Sequence, residues 1–197
     1  EFAGEGVLPL PGYRKRLDVI ATNTIDDHEA AQFFEMLGGS QRPLLYVGGG
    51  AINAGASDAL REFATAFDIP VVTTLMGIGA VDTTHPLSMR MLGMHGAAFA
   101  NYAVDDCDFL ITVGARFDDR VAGDPENFAR GARRIAQLDV DPAEINKVKH
   151  VHWQHIGMLA EGLQALTAFG QRHEFKRNLT GWLEALDGLR RTHAMNY

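Results

Sequence analysis

The residues best suited to chemistry lie in Gly114-Ala115-Arg116-Phe117-Asp118-Asp119-Arg120-Val121, where two arginines and two aspartates follow directly on the apolar run Phe109 to Val113. Guanidiniums fork onto phosphate oxygens, and neighbouring carboxylates hold them in position, so this is equipment for recognising an anion. A solvated charge run is the alternative, but such a run seldom leaves a core strand directly. A second group is Gly48-Gly49-Gly50-Ala51-Ile52-Asn53-Ala54-Gly55. Glycines there let backbone N–H groups approach a phosphate at a helix start. Asn53 stands where a dinucleotide fingerprint has its third glycine, so a plain tight strand-to-helix turn stays open beside ligand binding.

Leu92-Gly93-Met94-His95-Gly96 sets two glycines around a ring donor; taken alone it reads as a loop histidine ahead of a small-residue helix, Ala97 to Val104. Asp139 ends an apolar run and is placed to accept from a ribose hydroxyl. Asp141, two residues on, is occupied as a helix N-cap, with Pro142 at the first helical position and Glu144 as the far half of a capping box. His150, His152 and His155 resemble a metal cluster, but strand alternation puts the first two on one face and the third on the other. Cys107 lies among aspartates with no base beside it. No Ser-His-Asp order, phosphate-loop lysine or carboxylate pair stands out, so the chain reads as a nucleotide cradle without visible catalytic equipment.

The elements that must position these residues follow from periodicity. Asp26 caps a helix whose apolar face is Ala30, Phe33, Phe34 and Leu37, ending at Gly38-Gly39. Strands are expected at Leu44–Val47, Ile69–Leu75, Phe109–Val113, Arg134–Val140 and Val151–Ile156, with helices over Ala56–Phe67, Met158–Phe169 and roughly Phe175–Thr192. Short, nearly continuous apolar strands separated by helices define an α/β fold, a doubly wound parallel sheet covered on both faces. In such sheets the carboxyl ends of the strands line the ligand crevice, where the unusual residues gather. Residues 1–24 lack either periodicity and read as a linker, 25–170 as the α/β domain, and 171–197 as a C-terminal helical linker.

The chain has 197 residues and a net charge of −7. Its mean hydropathy of −0.09 is that of a chain able to bury a core. Acidic charge without basic clusters argues against nucleic acid or an anionic membrane as partner, and no apolar run is long enough to span a bilayer. One cysteine excludes an internal disulfide framework or a multi-cysteine zinc site and fits a reducing cytoplasm. Glycine, at 21 residues, is the outlier, and it clusters at the ends of apolar runs. The opening Glu1-Phe2, without methionine, points to a piece of something larger.

Read in order, Arg42 to Gly55, Thr74-Leu75-Met76-Gly77, Met91 to Gly96 with Ala100-Asn101, Gly114 to Val121 and Leu138 to Pro142 resemble the large catalytic subunit of acetohydroxyacid synthase, or acetolactate synthase. The likeness runs from about Pro11 to Tyr197 and covers only the central domain of that three-domain enzyme. It implies a sheet of about six parallel strands that binds FAD, with the flavin largely structural. Carbon–carbon bond formation would occur on thiamine diphosphate with Mg²⁺, held by pyrimidine-binding and diphosphate-binding domains elsewhere in the parent chain. The parent is a transferase that condenses two pyruvates, or pyruvate and 2-oxobutyrate, with loss of CO₂. The implied assembly is a homo-oligomer with a regulatory small subunit, and this piece alone is expected to be inactive.

Carried over by position, the resemblance implies flavin contacts at Gly48, Gly49 and Gly50, with Thr74 and Leu75 flanking. Leu92, Gly93, Met94 and His95 would lie along the ribityl and ring side. Gly114, Ala115, Arg116, Asp118, Arg120 and Val121 would line the pyrophosphate and flavin path, and Asp139 and Val140 would sit by the adenosine. Met94, Asp119 and Arg120 would fall where herbicidal inhibitors bind. One departure stands out: Gly157-Met158-Leu159 replaces the family's Gly-Asp-Ala near the adenine. A free-standing FAD- or NAD-binding oxidoreductase and a non-catalytic nucleotide-binding module remain the alternatives.

Overall fold

A computed structural model of the chain describes residues 13–118, 123–124 and 126–194. Six strands form one sheet: β1 Pro43–Val47, β2 Val71–Thr73, β3 Ser88–Met91, β4 Phe109–Val113, β5 Arg134–Asp139 and β6 Trp153–Ile156. Their order is β3-β2-β1-β4-β5-β6, and every neighbouring pair is parallel. Chain order therefore runs outward in one direction from β1 and in the other from β4. The loops leaving these two central strands part company, which opens a crevice at their carboxyl ends.

Helices cover both faces: α1 Tyr13–Thr22, α2 Asp27–Gly39, α3 Gly49–Asn53, α4 Ser57–Ala66, α5 Ala98–Asp106, α6 Leu159–Arg172 and α7 Thr180–Thr192. On one face α2, α4 and α6 bury Phe33, Phe34, Leu37, Leu60, Phe63 and Leu163 against alternate residues of the strands. On the other, α5 and α7 bury Phe99, Ala103, Trp182 and Leu186 against Leu44, Tyr46 and Leu110. β1 and β4 are buried along their whole length, which is why both read as unbroken apolar runs.

Helix α2 starts where its capping chemistry sits. Asp26 accepts from Glu29 N, and the Glu29 carboxylate accepts from Asp26 N in return, a reciprocal pair that satisfies two orphan donors. The box expected at Asp141 does not form. Asp141 accepts from Ala143 N over a single 3-10 turn, Pro142–Glu144, whereas the Glu144 carboxylate pairs with Lys147 and Asp141 N donates to Asp139 Oδ1. The competing acceptor is Asp139, two residues upstream at the end of β5, and it takes the N–H that the box would use.

Two segments read as linkers are structured. Residues 13–22 are helical, and Asn23 Nδ2 donates to Ile156 O at 2.7 Å, tying the helix end to the last strand. α7 docks on the sheet through Trp182, whose Nε1 donates to Pro43 O at 3.0 Å. The part of the linker expectation at residues 1–12 lies outside the described residues. The strand expected over Ile69–Leu75 is only Val71–Thr73, because Thr74 caps a 3-10 turn, Leu75–Gly77. β3 is the strand that periodicity does not announce: Ser88-Met89-Arg90-Met91 has no β-branched residue, and Arg90 has φ of +62°.

Phe33 is the hinge of the first core, fully buried with ring centroids 5.1 Å from Trp153, 5.7 Å from Phe109 and 5.9 Å from Phe63. Phe33→Ala is expected to lower unfolding stability by about 3–5 kcal/mol, read as a fall in the denaturant midpoint at unchanged slope.

Candidate functional site

The crevice at the carboxyl ends of the strands holds a cavity of about 900 Å³. That lies at the upper end of the ~300–1,000 Å³ typical of cofactor pockets. Its floor is built where the chain crosses itself. A Cβ on Gly48 would overlap Gly114 O, and one on Gly50 would sit 2.8 Å from the same oxygen. Gly48 N donates to Val113 O and Gly50 N to Gly114 O, each at 3.0 Å, so the two loops are bonded as well as nested. Gly114 itself has φ of +54°. These glycines are thus explained by the close crossing, which favours the tight-turn reading for Gly48 and Gly50. The segment Gly49–Asn53 is a short helix with Gly48 as N-cap, so the glycines themselves make the helix start.

Around this floor the walls come from four loops. Thr74 and Leu75 follow β2, Leu92, Gly93, Met94 and His95 follow β3, and Gly114, Ala115, Arg116 and Asp118 follow β4. Asp139 and Val140 follow β5. Every expected cofactor residue among the described ones therefore lines the cavity; Arg120 and Val121, with Asp119, lie outside the described residues. Met76, Asn53 and Leu159 also line the cavity, although the sequence reading gives them no cofactor contact.

Charge is unevenly placed in the cavity. Arg116 is exposed, its Nη2 3.9 Å from Asp118 Oδ2, while Asp118 Oδ1 is buried with no hydrogen-bond partner among the described residues. Tyr46 OH, buried beneath, donates to Arg116 O at 2.7 Å and fixes the backbone from which that arginine leaves. Asp139 is 7% exposed, and burial pushes its carboxyl up, against the N–H groups of Asp141 and Val140 that favour the charged form. Unpaired or half-paired buried acceptors on a cavity wall suit a ligand rich in hydroxyl donors. A second hollow, of about 700 Å³, lies at the amino ends of the strands. Its Asp108 carboxylate is already saturated by Ser40 Oγ and the backbone N–H groups of Gln41 and Arg42.

One positioning residue escapes the sequence reading. Asn101 on α5 accepts from Gly93 N at 2.8 Å through Oδ1 and donates to Gly93 O at 3.1 Å through Nδ2. Its amide holds both backbone groups of the wall residue as a neighbouring strand would. The signals in the sequence are its place in Ala100-Asn101, among the stretches that carry the resemblance, and a lone amide among the small and apolar residues that open α5. The histidines do not converge: His150 and His152 face each other with ring centroids 5.1 Å apart, and His155 is buried on the Trp153 side. His152 and His150 also precede β6, so strand alternation governs only His155. Cys107 is buried, its Sγ donating to Val104 O, and burial pushes its thiol far up. Met158 stands at the N-cap of α6 and supplies no side-chain acceptor.

In a doubly wound parallel sheet the ligand crevice lies where the strand order reverses, and this cavity lies there. Residues 30–166 match the family of thiamine pyrophosphate enzyme central domains, and the chain belongs to that family. Among its relatives, the acetolactate synthase large subunit of Parasynechococcus marenigrum is 45% identical over 161 residues, covering 82% of this chain and 26% of the relative. Acetolactate synthase 1, chloroplastic, of Oryza sativa is 44% identical over 191 residues, 95% of this chain and 28% of the relative. The acetolactate synthase isozyme 2 large subunit of Escherichia coli is 43% identical over 174 residues, 88% and 30%. The chain thus spans less than a third of the length of the relatives it matches. Among the described residues no helix is long and apolar enough to cross a membrane.

The raised carboxyl of Asp139 gives a pH prediction. A buried acid whose folded value lies above its unfolded value lowers stability once both forms are ionised, and the deficit closes as pH falls below the unfolded value. Asp139→Asn is therefore expected to melt higher than the parent at pH 7, with the gap narrowing through the carboxylate range in thermal melts.

Proposed function

We propose that this domain binds FAD in the crevice and is the central domain of an acetolactate synthase. The observation that carries the reading is the cavity at the reversal of strand order, walled by the expected residues of four successive loops. The residues present fit an extended flavin dinucleotide. Arg116 offers a guanidinium to the pyrophosphate, Asp118 Oδ1, which has no partner among the described residues, is an acceptor for ribityl hydroxyls, and Asp139 is an acceptor for the ribose. Met94, Leu75 and Met76 stand exposed at the rim, where they would flank the ring and shield it from water. When bound, the flavin supplies chiefly structure, with no net redox work in the main reaction. The domain's own residues bind and orient it: Asn101 sets Gly93, Tyr46 sets Arg116, and the Gly48–Gly114 crossing sets the floor.

The parent reaction in this proposal is condensation of two pyruvates, or of pyruvate and 2-oxobutyrate, with loss of CO₂. It would run on thiamine diphosphate and Mg²⁺ between the pyrimidine-binding and diphosphate-binding domains, in a homo-oligomer with a regulatory small subunit. A cytoplasmic setting is proposed from the acidic, single-cysteine composition. The 197 residues alone are expected to form no acetolactate.

Titration with FAD, followed by flavin fluorescence and melting temperature, tests the binding: a ligand of the native state raises the melting temperature by mass action. Saturable binding with no response to NADH is the expected result, and displacement of FAD by NADH would favour the oxidoreductase reading. Met158→Asp is expected to add about 0.5–2 kcal/mol of stability without ligand by capping α6. Tighter FAD binding in the same variant, beyond that gain, would place the adenine at the start of α6.

A further inference from the structure

We infer that Arg190, on the C-terminal helix α7, is a positioning residue for the Leu92–His95 wall of the cavity, acting through the outer carbonyls of β3. β3 is the edge of the sheet and is held on one side only. Its pairing to β2 is confined to Val71 with Ser88 and Thr73 with Met91, and the register shifts between them. Leu87 O accepts from Val71 N at 2.8 Å and so points toward β2. Carbonyls alternate along a strand, which turns Pro86 O and Ser88 O toward the open side. Arg190 Nη2 donates to both, at 2.7 and 2.8 Å. Asp187, one turn earlier on α7, holds the guanidinium through Nη1 at 2.7 Å. The fork thus occupies the place of a seventh strand.

What this holds leads directly to the cavity. After Ser88 the chain passes through Arg90, whose φ of +62° is costly for a side chain of that kind, to Met91, Leu92 and Gly93 on the wall. Leu92 N donates to Thr73 O at 3.0 Å, and Gly93 is gripped by Asn101. Besides its backbone bonds, the strained bend therefore has a side-chain anchor on each side: Asn101 beyond it and Arg190 before it. α7 itself is fixed to the sheet by Trp182 and to α5 by the Tyr102–His193 ring contact at 4.7 Å. Residues 180–192 lie beyond the stretch matched by the family, yet they carry half of the support for one wall of its site.

The effect on FAD rests on the proposal that flavin fills the crevice; the effect on the strand does not. Amide hydrogen exchange in the 197-residue chain reads the strand, with Leu92 and Gly93 as reporters and Ile111 in β4 as reference. Arg190→Ala is expected to speed exchange at Leu92 and Gly93 by about tenfold while Ile111 is unchanged, since bonds from a charged donor to two carbonyls are lost. Arg190→Lys keeps a charge but not the fork, and falls between. It carries the test if the alanine variant does not fold. FAD binding should weaken in the same order. Unchanged exchange at Leu92 and Gly93 overturns the inference, and so does equal acceleration at Ile111, which would make Arg190 a global stabiliser. Faster exchange at the wall in a chain that binds no FAD at all supports the positioning role and removes the flavin reading instead.

Discussion

The structure depends on one crossing, where Gly48 and Gly50 pass so close to Gly114 and Ala115 that no Cβ fits between them. This is a steric constraint set by the topology. β1 and β4 are adjacent and parallel, and each continues into a helix or loop on its own side of the sheet, so their exits must pass within backbone contact of one another. Backbone hydrogen bonds from Gly48 to Val113 and from Gly50 to Gly114 then lock the exits together. Everything that lines the cavity is measured from that point: Arg116 and Asp118 lie two and four residues beyond Gly114, and Met76 packs against Gly49 from the next loop.

The polar groups of the site are arranged against the interest of stability. Asp139 is buried with its carboxyl pushed up, and Asp118 keeps one buried oxygen with no partner among the described residues. A fold under no other demand would expose or pair them. Such groups cluster where a ligand supplies the missing donors, and the charge imbalance of the crevice follows from that. By contrast, the acid of the opposite hollow, Asp108, is fully bonded to its neighbours and serves to tie Ser40 and Arg42 to the start of β4.

Most of the fold was legible because its core strands are buried on both faces and its helices bury one stripe. Leu44 to Val47 and Phe109 to Val113 carry no polar residue except Tyr46 and Thr112, and Ala30, Phe33, Phe34 and Leu37 mark α2 by spacing alone. β3 was not legible, because an edge strand with a register shift needs no alternation, and its outward carbonyls are bonded by an arginine a hundred residues later. At Pro142 the cap residue Asp141 and the first-turn proline were legible, but the return bond from Glu144 does not form, because the Asp139 carboxylate takes the N–H that a capping box would use. The wall residues were legible through resemblance, but Asn101 was not singled out, since its bond pair to Gly93 exists only once the loop has folded back on α5. The docking of α7 was hidden for the same reason: its sequence is amphipathic, and periodicity alone does not say what it covers.

The parallel pairing of Pro43 with Phe109 also bears on the order of folding. The two central strands are separated by all of β2, β3 and the helices around them, so their meeting closes the longest loop of any strand pairing in the sheet. The glycine crossing can form only in that same step. The binding crevice is therefore not added to a finished scaffold but comes into being with the centre of the sheet, and a chain that has completed its slowest pairing has already made its pocket.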